Sequence, residues 1–94
     1  MTPGGSAGAV AALERLATAL DAGEFATVLV AGAGRRPRLS VTSRETQAAE
    51  DIYADGLAYW WSWAERISAA ADPLTAAHRV ATMLRAVPGP AHDW

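Results

Sequence analysis

The chain has 94 residues, no cysteine and a net charge of −2. These values exclude disulfides and thiolate metal sites, and they provide no general attraction to nucleic acid or to an anionic membrane. The length predicts one small domain at residues 8–87, flanked by tails at 1–7 and 88–94. No apolar run approaches the length of a membrane span and Met1–Ala9 lacks the features of a signal peptide, so we expect a cytoplasmic protein.

The first predicted element is an amphipathic helix from about Gly8 to Ala22. Its apolar residues recur at helical spacing, and they are Val10, Leu13, Leu16, Ala17 and Leu20. Gly23 follows the last of them, where a glycine is typical of a helix C-cap.

Two short β-branched segments come next, Phe25–Ala31 and Leu39–Ser43. The loop between them contains Gly and Pro, so they predict a β-hairpin. Residues 45–54 are ambiguous. Glu45–Ala49 suits a turn of helix, whereas Glu50–Ala54 could be a strand that pairs with the following segment across the turn dipeptide Asp55-Gly56.

The stretch from Asp55 to Ile67 holds three of the four tryptophans. Interpreted as one strand, it places Leu57, Tyr59, Trp61, Trp63 and Ile67 on one face, and Ala58, Trp60, Ser62, Ala64, Arg66 and Ser68 on the other. A helix is the competing interpretation, because several large residues also recur three or four positions apart. The strand is favoured because aromatic residues suit a pleated surface and Gly56 would weaken a helix.

The last predicted element is a helix that begins at Asp72-Pro73, with Asp as the N-cap and Pro at the first helical position. It runs to about Val87, and its apolar stripe is Leu74, Ala77, Val80, Ala81, Leu84 and Val87. The sequence therefore predicts an α+β fold. A small antiparallel sheet of three or four strands carries the N-terminal and C-terminal helices on one face. Those helices would bury the face that contains Tyr59, Trp61 and Trp63.

The segment from Asp55-Gly56 through the Trp-rich strand to the C-terminal helix resembles a group of small Trp-rich proteins of high-GC bacteria. Gly56, Trp61, Trp63, Ile67 and Leu84 occupy the matching positions, and the likeness covers mainly residues 50 to 87. Members of the group are often found beside helix-turn-helix regulators, which implies a regulatory or adaptor role. No catalytic residue is implied by the resemblance.

Few residues suggest chemistry. His78 faces outward on the last helix without a second ligand at metal spacing, so we predict no metal site. Glu65 stands alone on the apolar strand face, where a carboxylate could act as a general acid or base. An ion pair with an Arg, or a strand that has already reached its exposed end, is favoured over that role. Single-stranded nucleic acid could bind to Trp60 and a group of four arginines, which are Arg35, Arg36, Arg38 and Arg44. The acidic net charge argues against this.

We therefore expect a non-enzymatic interaction module that binds another protein, such as a transcriptional regulator, and that self-associates. Trp60, Ser62 and Arg66 on the wet face of the strand are its predicted partner-binding residues, since exposed aromatic side chains often mark interfaces. The alternative is a small-molecule binder or small enzyme whose aromatic pocket contains Tyr59, Trp61, Trp63 and Glu65. Neither interpretation requires a cofactor.

Overall fold

The computed structural model describes residues 4–32 and 34–86, which form two helices and a five-stranded antiparallel sheet. The elements in chain order are α1 Gly4–Ala19, β1 Phe25–Val30, β2 Arg38–Ser43, β3 Ala49–Ala54, β4 Ala58–Trp61, β5 Arg66–Ala69 and α2 Pro73–Ala86. Each strand pairs with the next one along the chain, so the sheet is a simple meander. The predicted α+β class is confirmed, and the predicted strand count is corrected to five.

Local chemistry explains where helix α2 begins, whereas helix α1 differs from its prediction at both ends. At the start of α2, the Asp72 carboxylate accepts a hydrogen bond from the Thr75 backbone N–H at 3.1 Å, as an N-cap should. Helix α1 begins at Gly4, four residues before the predicted start, and ends at Ala19. The predicted C-cap at Gly23 is wrong, because Gly23 does not adopt a positive φ. It lies in a turn after the helix, in which its N–H donates to the Asp21 carboxylate at 2.8 Å.

One hydrophobic core joins both helices to a single face of the sheet. The side chains buried there come from every element, and the largest are Leu13, Leu16, Leu20, Phe25, Leu39, Val41, Ile52, Tyr59, Trp61, Ile67, Val80 and Leu84. The Tyr59 hydroxyl donates to the Ala12 carbonyl of α1 at 2.6 Å, and Arg79 of α2 donates to the Ile67 carbonyl of β5. Because the two helices share this core, they cover the same face.

The Trp-rich stretch is a hairpin, so its prediction as one continuous strand is wrong. After Trp61 the chain reverses through a three-residue loop, in which the Trp61 N–H donates to Glu65 O at 2.8 Å and the Ala64 N–H donates to Trp61 O at 2.9 Å. Ala64 takes a φ of 69°, the left-handed conformation that such loops need at their third position. The competing helical interpretation is also wrong, since both arms are strands.

Three residues predicted to be buried are exposed. Leu57 is 80% exposed and Trp63 is 47% exposed, because each lies in a turn beside β4 and not in the strand itself. Leu74 is 73% exposed because the buried stripe of α2 runs through Ala76, Ala77, Val80, Ala81 and Leu84. Residues 1–3 and 87–94 lie outside the described ranges, and they include three residues of the predicted N-terminal tail and the whole predicted C-terminal tail. Residues 4–7, which were also predicted as tail, belong to α1.

Candidate functional site

Both helices pack on one side of the sheet, and side chains on the other side have no described helix above them. We call this second side the open face. Val28 in β1 is 59% exposed there, which is high for a valine in a strand. Aliphatic and aromatic side chains left uncovered on a sheet are the kind of surface that partners bind.

A row of five side chains crosses the open face from one edge strand to the other. Residues directly opposite each other in paired strands share a face, and the register connects them in the order Val30, Arg38, Tyr53, Trp60 and Arg66. We call these five residues the open row. Neighbouring strands lie about 4.8 Å apart, so the row extends about 19 Å and places two aromatic rings between two cations.

Trp60 is half-buried in this row and its ring is held by the β3–β4 turn. Its indole N–H donates to Asp55 Oδ2 at 3.1 Å, while Asp55 Oδ1 accepts the backbone N–H groups of Leu57 and Ala58, both at 2.8 Å. The bonds from Leu57 and Ala58 hold the pKa of the Asp55 carboxyl below its ordinary value. The turn therefore orients the indole before any partner arrives.

An arginine-lined pocket of about 350 Å³ adjoins the open row at the β1–β2 loop. We call it the arginine pocket, and its lining is Arg35, Arg36, Arg38, Tyr53 and Ser62. The guanidinium of Arg36 lies 4.7 Å from the centre of the Tyr53 ring, in a cation–π contact. The Nε atom of Arg38 lies 3.4 Å from Asp51 Oδ2 but lacks hydrogen-bond geometry, so the pair is a charge contact only.

The three predicted partner-binding residues lie on or beside the open face. Trp60 and Arg66 face each other across β4 and β5 in the open row. Ser62 is exposed in the β4–β5 turn and contributes to the arginine pocket. The structure thus places the three residues at one surface, although they lie on two strands and a turn.

The four residues of the alternative ligand site do not surround one cavity. Tyr59 is fully buried, and this burial raises the pKa of its hydroxyl. Trp61 is also in the core, with Trp63 stacked on its outer side at a ring distance of 5.0 Å. Glu65 is exposed and accepts the Trp63 indole N–H at 2.8 Å, so its predicted place on an apolar face is corrected. The turn after Trp61 explains this outcome, because it carries Trp63 and Glu65 out of the strand.

Tyr53 is the residue at this surface that sequence reasoning missed. Its position follows from the β3–β4 register, in which Ala54 lies opposite Tyr59 and Tyr53 lies opposite Trp60. Asp55-Gly56 indicated a hairpin, but a two-residue loop at those positions would pair Tyr53 with Ala58. In the structure the Asp55 N–H donates to Ala58 O at 3.1 Å, so the loop residues are Gly56 and Leu57, and this shift places Tyr53 opposite Trp60.

No protein-family model matches this chain, and neither a curated protein nor a solved structure matches it. Within residues 4–32 and 34–86, no helix has both the length and the apolar composition to span a membrane. In the same ranges, His, Asp and Glu side chains form no group of three or more that could hold a metal ion.

Proposed function

We propose that this chain is a non-enzymatic protein-interaction module, a small adaptor or regulatory protein that binds another protein through the open face. The observation that carries the proposal is the open row, in which Tyr53 and Trp60 lie between Arg38 and Arg66, and no element of residues 4–32 and 34–86 covers them. Tyr, Trp and Arg are the residues most enriched among those that dominate binding energy at protein interfaces.

The rigidity of this surface supports the same proposal. A side chain loses conformational freedom when it is buried in an interface, and that loss opposes binding. Trp60 is held by its bond to Asp55, and Arg36 is held against Tyr53. Both side chains therefore have less freedom left to lose when a partner binds.

The partner that we propose is a regulatory protein, since the Trp-rich proteins that this chain resembles are found beside helix-turn-helix regulators. A second copy of the chain is the other protein that could bind an uncovered sheet face. In both cases Trp60 would be central to the contact.

The proposal can be tested with two matched truncations on opposite sides of the molecule. Trp60→Ala removes the central ring of the open row, whereas Leu74→Ala removes a side chain that is 73% exposed on α2. Proteins captured from cell extract by the wild type would be purified, and their binary affinity for each variant would be measured by calorimetry. Sedimentation velocity of each variant alone would measure self-association.

We expect Trp60→Ala to keep its circular dichroism spectrum and to weaken partner binding at least about tenfold, as for a central interface aromatic. Leu74→Ala should bind like the wild type. The opposite pattern, in which Leu74→Ala loses the partner and Trp60→Ala keeps it, would assign binding to the helices and contradict the proposal.

A further inference from the structure

Among the described residues of the open face, the acidic side chains have bonding partners and most of the arginines do not. Its carboxylates already have contacts, since Asp51 lies beside Arg38 and Asp55 accepts hydrogen bonds from the β3–β4 turn and Trp60. By contrast, Arg35, Arg36 and Arg66 form no ion pair with any residue in the described part of the chain. The surface therefore has unneutralised positive charge, and the arginine pocket holds most of it.

The position of Arg36 over the Tyr53 ring leaves its guanidinium able to bind an anion. A guanidinium that lies over an aromatic ring uses its flat face for that contact and keeps the N–H donors at its edge. Those edge donors form the fork that matches the two oxygens of a carboxylate. Arg35 and Arg38 line the same pocket and add positive charge, while the Ser62 hydroxyl adds a neutral hydrogen-bonding group.

We propose that the arginine pocket binds the carboxylate of an acidic side chain in the partner protein. This inference rests on the proposed function and specifies the chemistry of the partner. Two side chains that are two positions apart in an extended peptide lie on the same side, about 7 Å from each other. An acidic residue in the pocket would then place an apolar or aromatic residue, two positions away, over the rings of Tyr53 and Trp60.

A nucleic acid strand fits this surface less well, although aromatic rings and arginines also serve single-strand binders. A nucleic acid carries a negative charge at every phosphate. Along the open row it would pass the carboxylate of Asp55, which lies at the edge of the Trp60 ring. The net charge of −2 also opposes a long polyanion, whereas one acidic side chain needs only the local excess at the pocket.

The test uses a capped peptide, Gly-Thr-Glu-Thr-Phe-Thr-Gly, and the same peptide with Gln in place of Glu. Each is titrated into ¹⁵N-labelled protein, with the backbone, arginine Nε–H and indole N–H signals followed by NMR. Arg36→Gln is the pocket variant. Arg15→Gln on α1 is the matched control, because it removes the same charge from an exposed residue on the helix side. A short oligothymidylate is titrated in parallel.

We expect the Glu peptide to shift the signals of Arg36, Ser62 and Trp60. The Gln peptide, or the Arg36→Gln variant, should weaken binding about tenfold, as when a charge-assisted pair is lost. Arg15→Gln should bind normally. Equal binding of the two peptides, no binding of either, or binding of oligothymidylate in preference to the Glu peptide would overturn the inference. If Trp60→Ala loses the natural partner while Arg36→Gln keeps it, the proposed function stands and the arginine pocket has no part in it.

Discussion

Two rows of side chains cross strands β1 to β4 one residue apart and on opposite faces. The covered row runs under the helices and consists of Leu29, Leu39, Ile52 and Trp61. On the same strands, the open row consists of Val30, Arg38, Tyr53 and Trp60. The covered row is entirely apolar and belongs to the core or packs against it, whereas the open row on these strands holds a valine, an arginine and two aromatic rings.

The difference between the rows shows how one small sheet can serve two purposes. Because side chains alternate between faces, each strand contributes one residue to stability and the next to the exposed surface. A slip of one residue in the register would exchange the rows, exposing Ile52 and burying Arg38. The turns that determine the register therefore maintain both the core and the proposed binding surface.

The largest expected difference is between adjacent residues of β3. Ile52 is fully buried, so Ile52→Ala should lower the free energy of unfolding by about 3 kcal/mol, through lost burial and the cavity left behind. Tyr53→Ala should cost only about 1 kcal/mol, because it removes a cross-strand pair and the contact with Arg36 from a half-exposed surface. Urea unfolding of both variants measures this difference. Equal losses would show that the open face is as well packed as the core.

The two tyrosines offer a finer comparison of the faces. Tyr59→Phe removes a buried hydroxyl that donates to the Ala12 carbonyl, and we expect a loss of about 1 to 1.5 kcal/mol. Tyr53→Phe removes a hydroxyl on the open face and should change stability little, while retaining the ring for Arg36. Thermal unfolding of the two variants in one buffer tests this. A destabilised Tyr53→Phe would indicate that its hydroxyl has a structural partner.

Several elements could be predicted because their signals are local. Asp72-Pro73 predicted the start of α2, and the short apolar segments around the β1–β2 loop predicted the first hairpin. The β4–β5 turn could not be predicted in this way. Its loop, Ser62 to Ala64, has no Gly, Pro, Asn or Asp, and Ala64 takes the conformation that usually selects Gly. Continuing the alternation through this turn placed Trp63 in the core.

The candidate site was partly predictable for a related reason. Trp60 could be placed on the wet face because period-two alternation holds within β4. The cation–π pair of Arg36 and Tyr53 could not, because it depends on the register of β2 against β3 and on the path of a loop. A single sequence contains alternation within strands, but it specifies their pairing only where a turn is recognised.

Asp55 matters for both faces of the sheet. Its carboxylate closes the β3–β4 turn, which helps to determine the register, and it also holds the Trp60 ring on the open face. Asp55→Ala should cost about 0.5 to 1 kcal/mol, since water competes for the exposed donors, and it should also weaken partner binding by releasing the indole. The pKa of this group is lowered in the folded state. Its stabilising contribution is therefore present above the ordinary value of 3.8 and is lost as the pH falls through the folded-state pKa.

Asp55→Asn separates charge from geometry, because it keeps an acceptor oxygen in the turn. In acid titrations followed by circular dichroism, the stability of this variant should fall less steeply below pH 3.8 than that of the wild type. Asp72 and Glu24 also have lowered pKa values and remain in both proteins, so the difference between the curves isolates Asp55. Parallel curves would mean that the Asp55 charge contributes nothing to folding.

The smallest expected effect is a gain, and it comes from the turn that sequence reasoning missed. Ala64 has a φ of 69°, so Ala64→Gly relieves backbone strain and should stabilise the fold by about 0.5 kcal/mol after the entropy cost of glycine. Gln47 is the other non-glycine residue with a positive φ in the part of the chain that the structure describes. Gln47→Gly removes a side-chain hydrogen bond to the Arg44 carbonyl, so it should gain less stability. Neither residue belongs to the covered row or the open row. Ala64→Gly should therefore raise the unfolding midpoint while partner binding stays constant, and a change in affinity would show that the β4–β5 loop itself contacts the partner.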